Sequence, residues 1–204
     1  MHAERGLLCI RETFGGLLSA MRVLFLLASG REGGNAELMA RHAARALPER
    51  AEAVFVRLSD YPLPPFVDYR RAEAYAHLTL DANAEKLYAE SIAADVVVFA
   101  SPVYWYSLPA SLKLYLDHWS TWMRVPGLDF RAAMRGKQLA VLSALAGSEG
   151  SEARPLVEAS RLTAEYMGMR YLGATVGYNL NEAGEVLERP EVLASATELL
   201  RRLR

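Results

Sequence analysis

The 204 residues contain a single cysteine, Cys9, so the chain can form neither an internal disulfide nor a thiolate metal site, and a reducing cytoplasm is the expected location. Histidine is scarce as well. Its positions, 2, 42, 77 and 118, give no HExxH or other ligand spacing, and no metal site is expected. Neither sign of charge dominates: 23 Lys+Arg face 24 Asp+Glu for a net charge of -1, which removes the electrostatic case for nucleic acid or an anionic membrane as partner. No apolar run approaches the ~20 residues that span a bilayer. Two glycine signatures are missing too. The glycines at 30, 33 and 34 do not have GxGxxG spacing, and Gly136-Lys137 lacks the upstream glycine and the following Ser/Thr of a Walker A loop. What remains is a small-molecule ligand that is held by neither of those two motifs.

What the chain does have is apolar bulk, 52% of its residues, enough for one globular domain with a sizeable core. Charged residues interrupt the first stretch, residues 1–20, before a signal-peptide core can form, so it reads as a loose extension ahead of a domain at 21–204. From Arg22 onward, apolar runs of strand length alternate with stretches of helical period, the pattern of parallel strands covered on both faces: an α/β protein. The expected strands are 23–28, 53–58, 96–100, 139–145 and 171–176. Between them, helical periodicity predicts helices over 35–47, 84–92, 112–123 and 156–167, with a last one opened by Pro190. Asp81 or Asn83 is available to cap the second. The connection 59–80 is longer than compact folds usually allow and rich in proline and aromatics; it reads either as a surface meander or as an arm that covers a site or packs on another subunit.

In doubly wound sheets the ligand lies beyond the C-terminal ends of the strands, where the strand order reverses. In the 2-1-3-4-5 order that place falls between the first and third strands. The two loops leaving them are the oddest in the chain, SGREGGNA at 29–36 and SPVYWYSLP at 101–109. The first is rich in glycine and opens a helix, so its N–H groups and the helix dipole suit a phosphate, and Arg31 adds a charge. In the second, Pro102 and Pro109 are expected to keep the N–H groups of Val103 to Ser107 out of a ladder and free for a ligand's polar ring edge. Tyr104 and Trp105 supply flat apolar contact, which suits a tricyclic ring with carbonyls and nitrogens along one edge.

SPVYWYSLPASLKLYLDHW resembles the flavin-binding stretch, SPxYxxxxPxxLKxxxD, of the NADPH-dependent FMN reductase family. Ser101, Pro102, Tyr104, Pro109, Leu112, Lys113 and Asp117 match it. The first loop is similar to that family's S-x-R-x-x-S-N-T phosphate motif through Ser29, Arg31 and Asn35. It departs at Gly34 and Ala36, where hydroxyl residues are usual. The LPPF at 63–66 also matches, so the resemblance covers about residues 21–176. It implies a flavodoxin-like doubly wound sheet of order 2-1-3-4-5 that binds FMN, with NADPH or NADH as co-substrate, and a homodimer or homotetramer. The hydride would pass from the nicotinamide to the flavin and on to a quinone-like, azo or flavin acceptor. The cofactor residues implied are Ser29, Arg31, Gly34, Asn35 and Ala36 for the phosphate, Pro102, Val103, Tyr104 and Trp105 for the ring, and Ala146 and Gly147 from the loop after the fourth strand. No side chain need act as acid or base.

Two other functional classes match parts of the sequence. A flavodoxin-type electron carrier would use the same cofactor without nicotinamide activity, though such carriers are commonly acidic. AGSEG at 146–150 differs from the GxSxG nucleophile elbow only at Ala146 and would make Ser148 a nucleophile, but no histidine follows it in the chain, as that fold requires. His118, beside the apolar stripe of its helix, reads as a packed residue rather than a base.

Overall fold

The computed structural model describes residues 20–69 and 72–203. Cys9 and the extension expected at 1–20 lie outside them, residue 20 apart. Five strands, β1 Met21–Leu27, β2 Ala51–Arg57, β3 Val96–Pro102, β4 Gln138–Ala144 and β5 Arg170–Gly177, form one parallel sheet of order β2-β1-β3-β4-β5. The expected order and class are those observed.

The unbroken apolar runs are explained by burial on both faces. Leu24, Leu26, Val97, Phe99, Leu139 and Val141 point to one side, into a core shared with helices α3 Ala82–Ala93, α4 Ala110–Trp122, α5 Phe130–Met134 and α6 Arg154–Met167. Their strand neighbours Val23, Phe25, Leu27, Val96, Val98, Ala140 and Leu142 point to the other, against α1 Asn35–Ala44 and α7 Pro190–Arg201. The central strands β1, β3 and β4 thus read as largely apolar although their side chains alternate. At the edge, β5 carries an extra residue opposite Leu139/Ala140, and Gly173 takes φ 118 there, a conformation that favours glycine.

The helices follow their expected faces, with shifted ends. α1 stops at Ala44 rather than 47, because 45–47 close as i→i+3 turns before Pro48. Asp81, not Asn83, caps α3, accepting the Ala84 N–H at 2.8 Å; Asn83 instead donates to the Pro62 carbonyl. α4 buries Leu112, Tyr115, Trp119 and Trp122; the Trp119 and Trp122 rings meet Phe130 edge-on at 5.3 and 5.1 Å, Trp122 also meets Tyr88 at 5.8 Å, and Tyr115 meets both tryptophans at 5.6 Å. The long connection is partly structured, with a turn of 3-10 helix at Leu58–Asp60 and the short α2 Ala72–Tyr75. It packs on its own chain: Tyr61, Leu63 and Leu80 join the α3–α4 side of the core, and His118 donates from Nε2 to the Pro64 carbonyl at 2.9 Å. His118 is therefore a buried anchor for this arm.

Candidate active site at the C-terminal edge of the sheet

The strand order reverses between β1 and β3, and a cavity of about 220 Å³ opens beyond their C-terminal ends. It is lined by Ser29, Arg31, Gly34, Asn35 and Ala36 from the first loop, Pro102, Val103 and Tyr104 from the second, and Ala144 at the end of β4 with Leu145 and Ala146 beyond it. Leu180 and Asn181 complete it from the connection after β5. Of the residues expected at a cofactor, Trp105 and Gly147 are not in this lining. Trp105 is 94% exposed on the tip beside it, and Gly147 lies so close to the Glu152 carboxylate that a Cβ would meet it at 2.4 Å.

The first loop is built to leave donors free. Ser29 Oγ accepts the Arg31 N–H at 3.1 Å, Gly33 turns the chain at φ 65, and Gly34 is the N-cap of α1 without any side-chain cap bond. A serine or threonine at that position would give an oxygen to the first turn; glycine leaves the main-chain N–H groups there without a side-chain acceptor. A Cβ at Gly34 would meet nothing nearer than 3.5 Å, so the departure from a hydroxyl residue is chemical and not enforced by crowding. Arg31 is exposed, and its guanidinium has no ion pair among the described residues.

Asn35 has a second employment. Its amide donates to the Glu182 carbonyl at 2.8 Å and its Oδ1 accepts the Val186 N–H at 3.1 Å, so the side chain ties α1 to the connection after β5; its main-chain N–H is what remains for the cleft. The Leu180 N–H, donated to the Leu145 carbonyl at 3.1 Å, holds Leu180 and Asn181 beside the cavity. Sequence reasoning missed both, since no motif marks a contact across so many positions.

The second loop differs from expectation. Strand β3 runs on through Pro102, Val103 donates to the Ala144 carbonyl at 3.0 Å, and Tyr104 and Ser107 exchange both main-chain bonds as a two-residue hairpin. Only the N–H groups of Trp105 and Tyr106, the two central residues of the turn, stay outside this pairing, and Pro102 itself remains in the ladder opposite Ala144. Trp105 and Tyr106 have φ 50 and 63, the signs required by a type I′ turn and unfavourable for large side chains.

Behind the first loop lies its one charged network. Glu37, buried in the first turn of α1, accepts from Arg57 at 2.7 Å, from Arg41 at 2.8 Å and from the Gly33 N–H at 3.1 Å. Burial pushes its carboxyl up, but the hydrogen bonds from Arg57 and Arg41 outweigh it and hold the group below the usual carboxylate range. Among the described residues the cavity lining contains no carboxylate and no imidazole; its polar side chains are the Ser29 and Tyr104 hydroxyls, the Arg31 guanidinium and the Asn35 and Asn181 amides.

A parallel sheet of this order with an anion-suited turn at the reversal point is the flavodoxin-like class. Residues 21–181 match the profile of the NADPH-dependent FMN reductases, and the chain belongs to that family. It is an oxidoreductase with FMN as cofactor and NAD(P)H as co-substrate. The FMN-dependent NADH:quinone oxidoreductase of Bordetella petrii is 32% identical over 160 residues, 67% of this chain and 74% of that one. YwqN of Bacillus subtilis, provisionally assigned as an NAD(P)H-dependent FMN-containing oxidoreductase, is 27% identical over 89% of this chain and 98% of its own length. Among solved structures, the Trp repressor binding protein of Bacillus subtilis superposes with a TM-score of 0.68 at 25% identity, covering 89% of this chain and 99% of that one.

Proposed function

We propose that the cleft seats FMN with its phosphate on the 29–36 loop, and that the enzyme reduces a small quinone-like, azo or flavin acceptor at the expense of NADPH or NADH. The observation that carries this reading is the uncapped first turn of α1, opening with Arg31 into the same cavity as Pro102–Tyr104. Main-chain N–H groups at 35 and 36 and the positive end of the helix would hold the phosphate, and Arg31 would add a charge-assisted bond. Pro102, Val103 and Tyr104 would take one part of the ring, and Leu145 and Ala146 another. When bound, FMN supplies the hydride chemistry. The protein orients it and keeps one side approachable: Tyr104 is more than half exposed, so nicotinamide and acceptor can reach the cleft in turn.

The test is to load the protein with FMN, titrate it with NADPH or NADH under exclusion of oxygen, and then add a quinone, an azo dye or free flavin. The yellow band should bleach on nicotinamide and return with the true acceptor. A protein that retains FMN but is bleached by neither nicotinamide refutes the reductase reading, and one that stays colourless in excess FMN refutes the site.

A further inference from the structure

Arg57 ends β2 and does not line the cleft, yet it governs the loop that does. Its Nη1 donates to the Ser29 carbonyl at 3.0 Å and to the Arg31 carbonyl at 3.4 Å, while Nη2 donates to Glu37 at 2.7 Å. The side chain is only 12% exposed and that of Glu37 6%. Glu37 completes the ring by accepting the Gly33 N–H, so one ion pair fixes two carbonyls and one amide of a short glycine-rich turn. Glycine-rich turns are otherwise entropically loose, and a loose turn must be ordered whenever an anion binds.

The pair also solves an electrostatic problem. A carboxylate in the first turn of α1 would oppose a phosphate arriving at that helix end, and Arg57 together with Arg41, at 2.8 Å on the other oxygen, cancels it. Two carbonyl oxygens that could repel the phosphate are bonded to a guanidinium outside the cavity. Both effects act on a phosphate and neither acts on an uncharged flavin ring.

We propose that Arg57 and Glu37 are positioning residues that clamp the 29–33 turn in its anion-receiving shape and thereby set the preference for FMN over riboflavin. The inference rests on the reading that FMN places its phosphate on this turn. Arginine suits this place because its planar fork sets one nitrogen on the two carbonyls and another on the carboxylate, a spread that the single nitrogen of an ammonium does not have.

The test compares dissociation constants for FMN and riboflavin, read from quenching of flavin fluorescence, in the wild type, Arg57→Ala and Arg57→Lys. Arg57→Ala should lower the FMN-to-riboflavin preference about thirtyfold, the effect of losing charge-assisted bonds, and leave riboflavin binding within about twofold. Arg57→Lys should fall between. Should Arg57→Ala not fold, Arg57→Lys decides alone: a preference equal to wild type overturns the clamp. Equal weakening of both flavins also overturns it, because that is the signature of general destabilisation. A wild type that prefers FMN with an Arg57→Ala variant that prefers it equally removes the clamp and leaves the phosphate seat standing. A wild type without any preference removes the seat, and the clamp with it.

Discussion

Replacing Trp105 with asparagine should stabilise the apo-protein. Trp105 sits at φ 50 with a side chain 94% exposed, so the native state carries left-handed strain in exchange for almost no burial. The strain for a large L-residue is about 1–2 kcal/mol, most of which asparagine avoids because its short polar side chain tolerates this region. Against that stands the small indole area in contact with protein, worth a few tenths at ~25 cal/mol per Å². The expected gain is about 1 kcal/mol, a rise in Tm of roughly 2–4 °C for a chain of this size. Tyr106 provides the control. Its φ of 63 is as unfavourable, but it is 57% exposed, so Tyr106→Asn forfeits something near 80 Å² of contact, about 2 kcal/mol, and should be neutral or destabilising. Thermal unfolding of the flavin-free proteins followed by circular dichroism measures both. A Trp105→Asn variant less stable than wild type, or two variants that move by the same amount, would refute the reasoning.

Phe130→Ala removes a fully buried ring at the centre of the aromatic cluster with Tyr88, Trp119 and Trp122 and should cost about 3–5 kcal/mol in urea unfolding; a loss below about 1 kcal/mol would mean the cluster collapses into the gap. Tyr115 is wholly buried, and burial pushes its phenol up to about 12, against the opposing effect of its 2.6 Å hydrogen bond with Ser91. The folded state therefore holds this proton more tightly than the unfolded one, and the associated stability is complete below pH 10 and declines as pH rises toward 12. Urea midpoints measured between those limits should fall less steeply for Tyr115→Phe than for wild type, and identical slopes would contradict the assignment.

What could be read from the sequence follows burial. The strands were legible because continuous apolar runs of strand length have few other uses, and α4 because Leu112, Tyr115, Trp119 and Trp122 repeat at helical spacing. The two loops at the strand reversal were legible from composition, and they do meet at one cavity. The second employment of Asn35 was not, since an amide that caps a distant connection looks in sequence like one that meets a phosphate. Nor was the hairpin at Tyr104–Ser107: Trp-Tyr carries none of the Asn-Gly chemistry that announces a type I′ turn. The short α5 and the turn at Leu58–Asp60 escaped because a few residues give no measurable period. Arg57 escaped for another reason. A lone arginine ending an edge strand reads as a solvent-facing charge until the loop it grips is seen.

Gly34 has a consequence for how this family's members diverge. Donors that belong to the peptide backbone survive any side-chain exchange that preserves the turn, so hydroxyl groups can disappear from such a motif while its hydrogen-bonding geometry persists. Alanine scanning along this stretch would then understate its importance, and relatives that have drifted further would be easier to find by the path of their main chain than by their letters.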